Sequence, residues 1–349
     1  MNNIWHISQG YGSREYRHII NSFQSGSKII KNETSAFHYT SFENCIKMLA
    51  HPKGNEYYLE LFASHFGYMN DTQEFLQGLR FIIEQLEEMP NFNNIDITKT
   101  INSFKDKFSD YQHIPYYAIP PHYIVSFNTE CNNLAQWKYY GKNCGIAIEY
   151  DLANCVFSNY STDDNYVKHS SYYVNYDPVE QMTEIQNILQ ELVDLDQNNN
   201  VPNKHIQCKD ILLKACATAS FMKDENYKDE KEVRLLFAPN YQDDSNDTSD
   251  ENRKKLMEKV SYRPRGNEYI IPYLKIKIKS KDNTQYPIKS LTVGPGQNQE
   301  LIFKSLIMFV QSNFSEMQSD IKLLNDEEGC YCIEVNGIKI RRSRIPFRG

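Results

Sequence analysis

The chain has 349 residues, 38 basic and 45 acidic side chains, a formal charge of −7 and 40% hydrophobic residues. That length can bury a large core without disulfide or metal staples. The acidic balance excludes nucleic-acid binding by overall charge alone.

Residues 1–36 read as an N-terminal helical extension, with Tyr16, Ile19, Ile20 and Phe23 on one face. Phe37-His38-Tyr39-Thr40-Ser41 then ends a short apolar segment at a helix start. Thr40-Ser41-Phe42-Glu43 has capping-box spacing, and Phe42, Ile46 and Leu49 recur at helical period. His51-Pro52-Lys53-Gly54 closes that helix, and a strand is expected over 57–62. Asp71 and Glu74 have the look of a cap for a strong helix striped by Phe75, Leu79, Ile82 and Leu86. A second helical stretch is expected over 99–110.

Residues 122–127 alternate as a strand, and 134–140 form a short helix stopped by Gly141. A buried strand follows over 145–150. Helices are expected over 185–195 and 208–221, then a strand over 232–237. The polar run 240–258 reads as an acidic, mobile loop. Strands at 269–278 and 288–293 lead through Gly294-Pro295-Gly296, a plain tight turn, into an apolar helix. A last strand is expected over 332–340, before the basic run Arg341-Arg342-Ser343-Arg344, which with Arg348 reads as a solvated tail. The interleaved elements, with alternating rather than solidly apolar strands, predict an α+β fold around a split, mostly antiparallel sheet. The expected organisation is one domain over 37–349, with helical insertions near 71–115 and 178–225.

None of the eight cysteines forms C-x-x-C, which fits a reduced cytoplasm. No apolar run approaches a membrane span, and the N-terminus lacks a signal-peptide core. Asp71 with Glu74 can be a paired-acid site or a plain cap. Trp137 is expected in the core, with Tyr140 and Gly145 bordering a pocket. Glu230-Lys231-Glu232-Val233-Arg234 is the sharpest charged cluster. On a strand, Glu230, Glu232 and Arg234 share a face, as an ion-pair ladder or a site. A lone histidine such as His38 is usually a satisfied structural residue, and no second metal ligand stands at ligand spacing.

In their order, Phe37-His38-Tyr39-Thr40-Ser41, Asn70-Asp71-x-x-Glu74, Val125-Ser126-Phe127, Trp137-x-x-Tyr140, Gly145-Ile146-Ala147-Ile148 and Glu230-x-Glu232-x-Arg234 resemble a bacterial family, domain of unknown function 2971. The resemblance runs from about residue 36 through the Gly294 turn to 345–347. More distantly, the chain is similar to ADP-ribosyltransferase folds. These place a histidine or arginine on the first strand, an aromatic or hydroxyl residue on the next and a glutamate on a late strand. That similarity implies His38 first, Tyr68 in the middle (with Tyr39 and Ser64 behind it) and Glu232 last, in the E-x-E form Glu230-Lys231-Glu232.

The similarity further implies NAD as co-substrate, with no metal. Glu232 and Glu230 are then the catalytic carboxylates. His38, Tyr39, Thr40, Tyr68, Tyr140 and Arg234 are the residues toward NAD. The expected function is an ADP-ribosyltransferase or NAD glycohydrolase, acting as a bacterial toxin or anti-phage effector on protein, RNA or water, with an antitoxin or activating protein as a possible partner. The alternative is a non-catalytic module of the same fold that binds a nucleotide or partner protein. A third reading is a hydrolase using Asp71, Glu74 and Glu230 around a divalent ion.

Overall fold

The computed structural model describes residues 35–49, 57–69, 73–108, 122–141, 144–159, 167–239, 259–282, 286–314, 321–325, 331–335 and 337–346. The N-terminal extension up to residue 34, the turn at 51–54, the cap at Asn70-Asp71 and the run 240–258 lie outside them.

Strand β1 (Ser35–Thr40) leads into helix α1 (Phe42–Leu49), whose N-terminus is capped by Ser41 Oγ accepting from Asn44 N. Strand β2 (Tyr58–His65) and one 3₁₀ turn (Phe66–Tyr68) precede α2 (Gln73–Glu88) and α3 (Ile95–Phe108). Then come β3 (Tyr123–Asn128), α4 (Leu134–Tyr140), β4 (Ile146–Asp151), β5 (Cys155–Asn159) and β6 (Val167–Tyr173). Helices α5 (Pro178–Gln197) and α6 (Lys204–Ala219) form the second helical insertion. A 3₁₀ helix (Glu225–Glu230) delivers the chain to β7 (Glu232–Pro239). The remainder is β8 (Ser261–Arg265), β9 (Tyr269–Ser280), β10 (Ile288–Val293), α7 (Gln299–Asn313), β11 (Ile321–Asn325), β12 (Tyr331–Val335) and β13 (Ile338–Arg342).

Within the described residues the expected helices and long strands form with shifted ends, except that residues 35 and 36, expected to close the helical extension, begin β1. Strands β5, β6, β8 and β11 come in addition to the expected set. The single strand expected over 332–340 is instead a hairpin, β12 against β13, turning through Gly337 at φ +79°. Nor are Arg341 and Arg342 a solvated tail. Arg341 reaches Glu149 and Thr292 from β13, and Arg342 pairs with Glu300.

The thirteen strands make one mostly antiparallel sheet, in which β10 and β13 run parallel. Its organising feature is a fork at β3. One edge of β3 pairs with β7 along its whole length. The other is shared: β2 meets it at Tyr123 and Ile124, and β1 meets it at Asn128. From there one arm runs β1-β4-β10-β13-β12-β11, and the other runs β2-β9 with β5 and β8 on the far edge of β9.

Both arms turn the same face into one apolar core. Leu59, Leu61, Leu274 and Ile276 come from one arm, Ile146, Ile148, Leu291 and Ile340 from the other, and α1 and α7 add Leu49 and Leu306. On the opposite face, α2, α3, α5 and α6 form a helical layer over Ile124, Tyr172 and Leu236. A smaller cluster locks α4 onto the sheet through Trp137, Tyr39 and Phe37, as expected of Trp137.

The Gly294 turn lies flat on that tryptophan. A Cβ there would stand 2.6 and 2.7 Å from Trp137 Cε3 and Cζ3. Gly294→Ala is therefore expected to lower stability by about 1–3 kcal/mol, since the turn or the buried indole must shift to admit the methyl group. Urea unfolding reads this directly; an unchanged midpoint would contradict the close packing.

Candidate functional site

Four of the charged residues read from the sequence, Glu74, Glu230, Glu232 and Arg234, gather in one place, on the helix-covered face at the start of β7. Register makes this so: Asn128 on β3 opposes Glu232 and Ser126 opposes Arg234, while Tyr172 on β6 opposes Arg234 from the other side. Their alternate neighbours Val233 and Leu235 enter the sandwich core.

Arg234 is fully engaged. Its Nε donates to Glu232 Oε1 at 2.8 Å and its Nη2 to Glu232 Oε2 at 2.9 Å, a bidentate pair. The same Nη2 donates to Glu74 Oε2 of α2 at 2.6 Å, and Nη1 donates to the Ser220 carbonyl at the C-terminal end of α6 at 2.6 Å. That carbonyl end welcomes a cation. Lys223 is the second cation: its Nζ lies 2.7 Å from Glu74 Oε1, 2.6 Å from Glu230 Oε2 and 3.5 Å from Glu232 Oε2. Tyr227 places its ring under the same ammonium, 5.0 Å from the centroid. Three carboxylates thus surround two cations, leaving one formal negative charge in excess.

Glu230 is not on the strand, as its alternation with Glu232 suggested. It ends the 3₁₀ helix, and Lys231 turns the chain in a left-handed conformation (φ +46°) before β7 begins. Both glutamates nevertheless reach Lys223. Asn128 Nδ2 donates to the Glu230 carbonyl, and Asn133 Nδ2 donates to the Asp229 carbonyl at 2.5 Å, holding this turn against β3. The Tyr176 hydroxyl accepts from the Glu232 amide at 2.9 Å.

Environment separates the carboxylates. Burial alone would raise Glu232, but Arg234 and Lys223 outweigh it and bring its pKa down to about 2. At Glu230, whose side chain is 18% exposed against 8% for Glu232, burial and the neighbouring carboxylates prevail over Lys223 and push the pKa up. One group stays ionised and deep; the other is nearer solvent and the readier to carry a proton. Two acids with divergent pKa values are the pattern of acid–base chemistry.

Glu74 is therefore more than a helix cap: its carboxylate ion-pairs with both cations. It does meet Glu230, as the metal-hydrolase reading required, but around an ammonium. Among the described residues no group of three His, Cys, Asp or Glu side chains is arranged to hold a metal ion. Asp71 lies outside the described residues. Sequence reasoning misses Lys223 and Tyr176; the one trace of Lys223 in the sequence is a lysine directly after the apolar Phe221-Met222.

Of the residues assigned toward NAD, Arg234 stands in this cluster and the other five do not converge on it. Phe37 pairs with Asn128, so Phe37 and Tyr39 share the Glu232 face, whereas His38 points to the opposite one. His38 Nδ1 lies 3.1 Å from the Ser126 carbonyl, and its ring meets Phe127 edge-on. Burial lowers its pKa, so the imidazole is neutral near pH 7. Tyr39 packs on Trp137; its hydroxyl donates to the Glu130 carbonyl at 2.6 Å and accepts from the Asn133 amide at 3.0 Å. Thr40 is buried at the end of β1, opposite Ile146. Tyr68 lies on the other arm, against His65 and Tyr269. Tyr140 is exposed at the end of α4.

Two measurements follow from this geometry. Arg234→Met strands two buried carboxylates and is expected to cost about 3–5 kcal/mol in denaturant unfolding; a loss under 1 would contradict the network. The pH dependence of Glu232 has a definite sign. Its folded pKa lies below the unfolded value of about 4.3, so its stabilisation is present above that pH and is lost as pH falls toward 2. The stability gap between wild type and Glu232→Gln should be widest near neutrality, begin to narrow below about pH 4 and be lost toward pH 2; a gap constant across that window would exclude an ionised Glu232.

Residues 136–235 match a family described as Protein of unknown function (DUF2971). The match opens at Gln136, beside Trp137, and closes just after Arg234, so it spans Lys223, Glu230, Glu232 and Arg234. No curated protein matches the chain. No solved structure matches it either. No helix among the described residues is long and apolar enough to cross a membrane. The chain is similar to a protein family of unknown function over the segment that carries its buried charge cluster except for Glu74.

Proposed function

We propose that the chain cleaves the nicotinamide–ribose bond of NAD, as an ADP-ribosyltransferase or NAD glycohydrolase, and serves as a bacterial toxin or anti-phage effector. One observation carries the reading: an ionised, buried Glu232 beside a more accessible Glu230 of raised pKa, in a cluster with one excess negative charge. Cleaving an N-glycosidic bond develops an oxocarbenium-like cation. A carboxylate about 4 Å from that charge contributes roughly 4 kcal/mol at an effective dielectric near 20. Glu232 is held ionised for that task, and Glu230 can accept or return the proton of an attacking hydroxyl. Arg234 and Lys223 are positioning residues here: they hold the carboxylates apart in pKa and in place. NAD itself comes from the resemblance to ADP-ribosyltransferase folds, and so does the split of the sheet as a family feature.

A second reading rests on a different fact. Both oxygens of Glu232 are occupied by Arg234 and Lys223, and the side chain is nearly buried. A carboxylate so fully bonded also suits a purely structural joint, which favours a non-catalytic module binding a nucleotide or partner protein.

Incubation with NAD, read as nicotinamide release by chromatography, separates the two. The enzyme reading expects release by the wild-type chain and a loss of at least about a hundredfold in Glu230→Gln, whose partly exposed side chain can be changed with the fold intact. Release undiminished in a folded Glu230→Gln would remove its role. NAD that raises the melting temperature without product would select the binding module.

A further inference from the structure

The arm formed by β2, β9 and β8 presents a second charged surface, remote in kind from the buried cluster. Strand β9 is internal: β2 pairs with one edge and β5 and β8 with the other. Its lysines therefore do not guard a strand edge against aggregation, the usual reason for lysine in a strand. Leu274, Ile276 and Ile278 enter the core, and the alternate residues Lys275, Lys277 and Lys279 share the outer face. Register adds Arg263 and Arg265 of β8 to that face, opposite Ile271 and Tyr269. Among the described residues of these strands, Glu60 is the one carboxylate on the same face, opposite Lys277. In a chain of net charge −7 this is a marked local segregation.

Aromatic rings are interleaved with the cations. Lys277 stands 4.3 Å from the Tyr58 ring centroid, and Arg263 lies 5.8 Å from Phe62 and 5.6 Å from Tyr273. Arg265 lies 5.6 Å from Tyr269. Phe62 and Tyr269 are exposed to 39% and 40%. Arg263 has no carboxylate within ion-pair reach among the described residues. Its Nη2 donates to Ser64 Oγ at 2.8 Å, while its Nε is buried without a hydrogen-bond partner. A guanidinium desolvated against two rings and left without an anion calls for one.

We propose that this face is a platform for single-stranded nucleic acid, with Arg263 and the β9 lysines on the phosphates and Phe62 and Tyr269 stacking on bases. Charge complementarity commits the surface to a polyanion, and the exposed rings select one with unpaired bases. Duplex would satisfy the cations but leave the rings unused. The inference is independent of the NAD reading, because it needs neither Glu230 nor Glu232.

Fluorescence anisotropy of labelled oligouridylate and oligothymidylate with the full chain tests it, with duplex and polyphosphate as competitors. The expected result is salt-dependent binding to a single strand of either sugar, weaker competition by duplex, and little competition by polyphosphate at equal phosphate concentration. Lys275→Glu, at an exposed position, should lower affinity and flatten the log–log salt slope by about 0.7 for each phosphate that is no longer neutralised. Phe62→Ala should weaken binding roughly tenfold, the scale of one stacked base. Arg263→Gln should do the same, and the two exposed substitutions keep the test valid if that variant misfolds. Absence of binding at low salt would overturn the proposal. So would full displacement by polyphosphate, or unchanged affinity in Phe62→Ala.

Discussion

The pairing of Arg234 with Glu232 and Glu74, completed by Lys223, is the constraint on which this architecture turns. It joins parts of the chain distant in sequence: α2 through Glu74, the segment after α6 through Ser220 and Lys223, the 3₁₀ helix through Glu230, and β7 through Glu232 and Arg234. A buried ion pair is weak evidence of net stability, because desolvation offsets much of the Coulomb gain. Its value is specificity. Each charge is tolerable only with its partners present, so the helical layer has one energetically acceptable seat on the sheet. Close approach elsewhere supports that seat: a Cβ at Gly78 of α2 would stand 2.5 Å from Ala219 Cβ of α6.

The same constraint gives the site its chemistry. Because the cations number one fewer than the carboxylates, one acid must remain imperfectly compensated. The geometry assigns that role to Glu230, which shares a single ammonium and lies nearest solvent. The fork at β3 divides the other candidates. His38 bonds the Ser126 carbonyl on the face opposite Glu232, so the two residues that open and close the ADP-ribosyltransferase pattern do not meet. The carboxylate cluster, and not the dispersed set around His38, carries the proposed reaction.

Much of the fold is legible in the sequence because period and punctuation agree. The helix at 134–140 follows to the residue from its apolar face and Gly141, and Trp137 belongs to the core as its size suggests. The hairpin at 331–342 escapes a reading by period although Asn336-Gly337 is a turn signal, since an uninterrupted alternation on either side looks like one strand. The site is legible in part. Alternation correctly puts Glu232 and Arg234 on one face, but it cannot show the left-handed turn at Lys231 that takes Glu230 off the strand. The meeting of Lys223 with Glu74 is hidden for a more basic reason: it is a tertiary event between α2 and the segment that follows α6, far apart in sequence, and local spacing explains Glu74 as a cap.

One fold here shifts two neighbouring glutamates in opposite directions, Glu232 down and Glu230 up. Carbon-13 NMR titration of the glutamate carboxyl resonances, assigned by Glu230→Gln and Glu232→Gln, tests this most directly. The predicted outcome is that Glu230 titrates above the ordinary carboxylate range while Glu232 stays ionised down to about pH 2. Titration of both near the model-peptide value of about 4.3 would contradict it and leave the cluster a structural joint.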